Sequence, residues 1–184
     1  RQALFCCPDR PVFARQAVTV VRMTTIVAAP GDLIIGVSDG VSVRFAGIDV
    51  AAQQPPAASP DGDSCIQIML EGVNGREVLE RNQQHSRDEA AWVERRNELG
   101  TTKAGRYPPL PGVAVLERVR ARVTDDLGTS YQWIGGTVSG TGTEWDASWF
   151  YFPTPPRNAS LLTLAFTLDG EPTGKECVVR LRDG

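Results

Sequence analysis

The run from Asp125 to Phe166, DDLGTSYQWIGGTVSGTGTEWDASWFYFPTPPRNASLLTLAF, restricts the fold more than any other part of the chain. It reads as a turn, a strand carrying Tyr131 and Trp133, a glycine-rich hairpin loop over 135–142, and an aromatic strand over Glu144–Phe152. A proline corner follows, and then a strand with Leu162, Leu164, Phe166 and Leu168 on one face. Alternation with a period of two, broken every few residues by Gly, Pro and Asp, is what an antiparallel sheet with one buried face requires.

The flanking segments repeat the pattern. Residues 17–27, rich in Val, Thr and Ile, suit a long strand. Leu33–Val37 and Val41–Phe45 flank Ser38-Asp39-Gly40, a hairpin turn in which Gly accepts positive φ. Val41, Val43 and Phe45 share a face, after which the apolar positions move to Ile48 and Val50, so a bulge is expected at Gly47. From Val113 the alternation resumes: Val113, Val115, Val119, Ala121 and Val123 face one way, Arg118, Arg120 and Arg122 the other, and only Glu117 breaks the inward set. The turn Asp169–Pro172 precedes a last strand over Glu176–Arg182. The whole predicts one domain over 1–184: a mainly β, antiparallel β-sandwich of about eight or nine strands.

Residues 51–111 interrupt it as a loop and helix insertion. The proline-rich stretch 51–63 is a loop, and CIQIML from Cys65 is a short strand. Ser86-Arg87-Asp88-Glu89 has the spacing of a capping box, and Gly100 the position of a stop, so one short helix is expected between them. Trp92, Val93 and Leu99 would lay a narrow apolar stripe on the sandwich. Arg106-Tyr107-Pro108-Pro109-Leu110-Pro111 is polyproline-like and reads as a stiff spacer.

Composition excludes some function classes. With 41% apolar and 22% charged residues, the chain has the make-up of a soluble globular protein. A net charge of −3 leaves no global basic field for nucleic acid, and no apolar run is long enough to span a bilayer. The first residues lack the apolar core of a secretory leader, which leaves the cytoplasm or export from a longer precursor as the compartment. Among four cysteines, Cys6 and Cys7 are adjacent, which strains a disulfide between them. Cys65 lies opposite the Ile66, Ile68, Leu70 face, and Cys177 shares a face with Val179 and Leu181. Reduced thiols are expected.

The ordered set Asp125, Asp126, Gly128, Tyr131, Gly135-Gly136, Trp145, Phe152, Pro153, Pro155-Pro156, Ala159, Leu162 and Leu164 resembles a pattern in uncharacterised bacterial proteins. These are immunoglobulin-like domains of unknown function, mainly from high-GC actinobacteria. VVRMTTIVAAPGDLIIGVS fits the same layout more loosely, and the insertion over 51–111 has no counterpart in it. The resemblance implies an immunoglobulin-like fold with an interaction or structural role, and brings no catalytic residues.

Several constellations could carry chemistry. Gly36-Val37-Ser38-Asp39-Gly40 matches the letters of a nucleophile elbow, with Asp61 or Asp63 and then His85 in hydrolase order. An elbow needs a helix after the serine, whereas here a strand follows. Cys6, Cys7, Cys65, Cys177 and His85 lack the spacing of a zinc site. Asp61, Asp63, Asp125 and Asp126 sit in turn contexts rather than in a calcium loop. Gly135–Gly142 leads into a strand and ends without the Lys-Ser/Thr of a phosphate loop. No catalytic set, metal or cofactor is therefore expected. The aromatics offer more: Trp145, Trp149 and Tyr151 share one face of their strand, and Phe150 and Phe152 the other. Were the tryptophan face outward, Tyr131, Trp133, Trp145 and Trp149 would form a stacking platform for a glycan or another ligand.

The leading expectation is a non-enzymatic β-sandwich module that binds a protein partner or self-associates. A carbohydrate- or ligand-binding module using Tyr131, Trp133, Trp145 and Trp149 is the alternative, and a hydrolase the weaker one.

Overall fold

A computed structural model describes residues 23–28, 32–53, 64–142 and 144–182. Two Asp-Gly turns set its hairpins. Asp39 and Gly40 have φ of 48° and 82°, and Asp169 and Gly170 have φ of 52° and 85°. Left-handed dihedrals at both central positions match the twist of the strands they join, and Asp followed by Gly adopts them at little cost. They connect β2 (Ile34–Ser38) to β3 (Val41–Gln53), and β8 (Leu161–Leu168) to β9 (Glu171–Arg182).

With β1 (Met23–Ala28), β4 (Ser64–Gly72), β5 (Val119–Asp125), β6 (Gln132–Thr141) and β7 (Glu144–Phe152), these strands make two antiparallel sheets. One has the order β1-β9-β8-β5 and the other β2-β3-β4-β7-β6. β4 and β7 pair without a shift from Ile66↔Tyr151 to Glu71↔Asp146, whereas the β3 pairing slips between Phe45 and Gly47, where the change of apolar face required it. The expected sandwich of eight or nine strands is the architecture found. Of the expected first strand, residues 17–22 lie outside the described residues.

The alternation predicts the core well. Val41, Val43 and Phe45, then Ile66, Ile68 and Leu70, then Trp145, Ala147, Trp149 and Tyr151 line one sheet. Val119, Ala121, Val123, Leu162, Leu164, Phe166, Cys177, Val179 and Leu181 line the other. Each large side chain buried this way contributes about 1.5–3 kcal/mol. Phe45 and Phe166 meet across the layers at 5.7 Å between ring centroids. A second small cluster, Ala52, Cys65 and Phe150, sits on the other face of the five-stranded sheet. Cys65 thus points away from the main core and Cys177 into it; both are buried, free thiols.

Three local expectations need correction. The helix is not short: α1 runs from Arg76 to Leu99, so Ser86 lies mid-helix, and the N-cap is Gly75 with no side-chain cap bond. Gly100 does end it, with φ 80° and its amide donating to Arg96 O. α1 is anchored at its start, where Val78 enters the core and Arg81 Nη2 donates to Asp39 O at 2.9 Å. Farther along, the stripe meets the return segment and not the sandwich. Trp92 Nε1 donates to Gly105 O at 3.1 Å, its ring packs edge-on against Tyr107 at 5.1 Å, and Leu99 is 52% exposed.

The second correction is at Val113. Residues Val113–Leu116 form a helical turn, α2, and the strand starts only at Val119. Val115 and Leu116 are both buried, which adjacent strand residues facing one core cannot be. Glu117, the break in the pattern, marks the change of period.

The third concerns the glycine-rich loop. Gly135, Gly136 and Gly140 belong to β6, with Gly136 opposite Trp149 and Gly140 opposite Trp145. The indoles lie over these glycines. A Cβ on Gly136 would fall 2.5 Å from Ser148 O and closer still to Trp149 Cε3, and one on Gly140 would lie 3.2 Å from Trp145 Cδ1. The glycines make room for rings on the neighbouring strand.

Candidate functional site

Since the inner face of β7 is the tryptophan face, the four residues of the aromatic platform separate. Trp145 is 1% exposed, wedged among Gly72, Gly112 and Gly140, with Nε1 donating to Asn82 Oδ1 at 3.3 Å. Trp149 is 3% exposed. Neither ring is open to a ligand, so the platform does not exist as a four-residue face: both indoles are core. Tyr131 is half-buried and its hydroxyl donates to Asp125 Oδ2 at 2.8 Å. Trp133, at the edge of the sheet, is 51% exposed.

Trp133 is not isolated. It stands edge-on to Trp149 at 6.3 Å and 72°. The guanidinium of Arg120 lies 3.8 Å from the Trp149 ring centroid and 5.0 Å from that of Trp133. Arg120 belongs to the outward face of β5, but β5 is an edge strand, and so the side chain can bend round it onto the indoles of the other sheet. A cation against the face of tryptophan is held by the ring quadrupole, and stacking leaves the in-plane N–H groups free. Burial lowers the pKa of Arg120, with Tyr151 and Glu117 opposing it, and the group stays cationic. Trp149 Nε1 is buried without an acceptor among the described residues.

The same side of the molecule shows how β5 is protected. The outward Ala121 N–H donates to the Tyr151 hydroxyl at 3.1 Å, and Arg120 Nη1 donates to Val119 O at 2.9 Å. Burial pushes the Tyr151 phenol up, keeping it neutral. The three arginines of the predicted stripe have three fates. Arg118 Nε donates to Asp169 Oδ1 at 2.9 Å and the guanidinium also pairs with Asp39, tying two hairpin turns together. Arg120 stacks, and Arg122 is exposed with no ion pair among the described residues.

The remaining candidates are structural. Ser38 is 1% exposed and its hydroxyl donates to Val115 O at 2.9 Å, which pins the β2–β3 turn to α2. A serine so buried and committed offers no nucleophile. His85 lies on α1 beside Tyr107, at 6.4 Å between rings. Asp61, Asp63, Cys6 and Cys7 lie outside the described residues. Asp125 Oδ1 accepts from the amides of Leu127 and Thr129, and Asp126 accepts from those of Ser160 and Leu161. Burial opposes ionisation of Asp125, but the bonds from Thr129, Tyr131 and Leu127 outweigh it and hold the pKa at about 2. These carboxylates serve turn amides. Arg106–Pro111 runs back beside α1, with the Tyr107 hydroxyl bonded to Glu89.

Of the four residues grouped as a platform, Trp133 is the exposed one, and Arg120, assigned from the sequence only to the outward face of its strand, is the neighbour that the sequence did not place beside it. The available signal was the position of the stripe on a strand with room to be an edge.

Comparison with family models, curated proteins and solved structures found no match to the chain. No helix among the described residues is long and apolar enough to cross a membrane.

Proposed function

We propose that this chain is a non-enzymatic protein-interaction module that takes up an extended segment of a partner by strand addition at β6. One observation carries the reading. β6 is an edge strand of ten residues, QWIGGTVSGT, without one charged side chain or proline. Among the described residues, no backbone group outside β7 pairs with it. Exposed edges of this kind are templates for another strand, and proteins that avoid pairing shorten, charge or cover them. Two other edges are treated in those ways: β2 has five residues, and β5 carries Arg120 and Arg122 with its outward groups at 119 and 121 occupied.

This reading agrees with the interaction role that the resemblance to bacterial immunoglobulin-like domains implies. Its test is a charge on the edge. Thr137, exposed and away from the core, is replaced by Lys, and both chains are used to recover partners from native host cells. Proteins bound through β6 are lost with Thr137→Lys and protect amides 133–141 from hydrogen exchange. An unchanged partner set with no protection there refutes the reading.

A second reading keeps one ring of the aromatic platform, the half-exposed Trp133, as a stacking surface for a glycan. A saturable change in its emission on glycan titration, absent in Trp133→Ala, would support it.

A further inference from the structure

Where β5 and β6 are both edge strands, side chains close the gap between the sheets. Arg120 spans it, stacked on Trp149 and beside Trp133. One of its N–H groups is used on Val119 O; the others meet no acceptor among the described residues. Glu117 acts on it only through its field and forms no ion pair. These remaining N–H groups are not sealed from solvent, and a guanidinium fixed by stacking presents them as a planar fork that matches a carboxylate. Arg122, two positions along the same edge, adds a second cation with no ion pair among the described residues.

We infer that the segment docking on β6 is acidic, placing a carboxylate side chain on the free N–H fork of Arg120 with Trp133 as the flat wall beside it. This rests on the strand-addition reading above and adds the chemistry that selects the partner. Charge complementarity decides between occupants. A second copy presenting its own β6 brings no Asp or Glu on that strand, whereas an acidic peptide satisfies both the edge and the arginine.

The test uses the whole chain and short peptides of alternating threonine and valine with Glu, Gln or Lys at the centre. Binding is read by anisotropy and by Trp133 emission. The Glu peptide should bind about tenfold or more tighter than the Gln peptide, as a charge-assisted bond requires, and the Lys peptide weakest. Arg120→Gln should equalise Glu and Gln peptides, and Thr137→Lys should weaken all three. Because Arg120→Gln could loosen the edge, its unfolding midpoint is measured, and Arg122→Gln serves as a second variant at an exposed position that lowers only the Glu preference. Equal binding of all three peptides, lost in Thr137→Lys, overturns the acidic inference while strand addition stands. Absence of binding by every peptide overturns both. Self-association abolished by Thr137→Lys and indifferent to Arg120→Gln would identify a second copy as the occupant and overturn the acidic partner.

Discussion

Replacing Gly136 by alanine tests the packing that turns β6 into a strand. In an open strand the change would be mildly favourable, because alanine restricts the unfolded chain by about 0.4–1 kcal/mol more than glycine. Here the added Cβ meets two atoms of the Trp149 ring and the backbone oxygen of Ser148, at 2.5 Å for the oxygen. The ring is also stacked against Arg120 and stands edge-on to Trp133. Relief therefore demands that Trp149 leave its site or that β6 move off β7. Overpacking costs about 1–3 kcal/mol when neighbours adjust, and expelling a buried tryptophan approaches the 3–5 kcal/mol of its truncation. A net loss of about 3 kcal/mol is expected, which for a chain of this size lowers the melting midpoint by about 6–12 °C.

Gly140→Ala is the graded control. Its Cβ would meet Trp145 at 3.2–3.4 Å, so a shift of a few tenths of an ångström suffices and the cost should be about 1 kcal/mol. Urea unfolding followed by tryptophan emission measures both. In a Trp149→Leu background, the Gly136→Ala penalty should shrink to what the Ser148 oxygen alone imposes. A Gly136→Ala chain within about 0.5 kcal/mol of the parent, or no worse than Gly140→Ala, would refute the reasoning.

Three further outcomes follow from the site geometry. Ser38→Ala removes the bond to Val115 O and should cost about 1–2 kcal/mol in urea unfolding; a variant as stable as the parent would deny the turn its pin. In a Cys6→Ser/Cys7→Ser chain, Cys65 and Cys177 should resist a thiol reagent at pH 8 until urea is added, because burial raises both thiols, Cys177 to about 11; rapid native labelling would contradict that. For Asp125, the folded pKa of about 2 lies below the ordinary 3.8, so its contribution is fully present above about pH 4 and is lost as pH falls towards 2. Asp125→Asn should flatten that part of the stability profile, with Asp126 and Asp169, also depressed, supplying the rest. An unaltered profile would show the turn bonds to be weak.

Much of the fold was legible because its signals are local. β7 has the bounds read from its alternation, Glu144–Phe152, and the Gly47 bulge follows from the change of apolar face. The helix start was not legible: Ser86-Arg87-Asp88-Glu89 has a cap's spacing but lies inside a run with no breaker back to Gly75, where tertiary anchoring by Val78 and Arg81 extends the helix. The glycines of β6 read as loop because glycine weakens an isolated strand, and only Trp149 and Trp145 on the strand beside it explain them.

By itself the sequence determined the two-layer class, the Asp-Gly turns and the pairing of Trp145, Trp149 and Tyr151 on one face, since period and turn dihedrals are properties of adjacent residues. Only the tertiary structure decided that this face is the inner one, that β5 and β6 are neighbouring edges, and that Arg120 closes the gap between them. Those facts depend on which strand lies beside or across from which, and contacts between residues far apart in the chain have no period in the sequence to announce them.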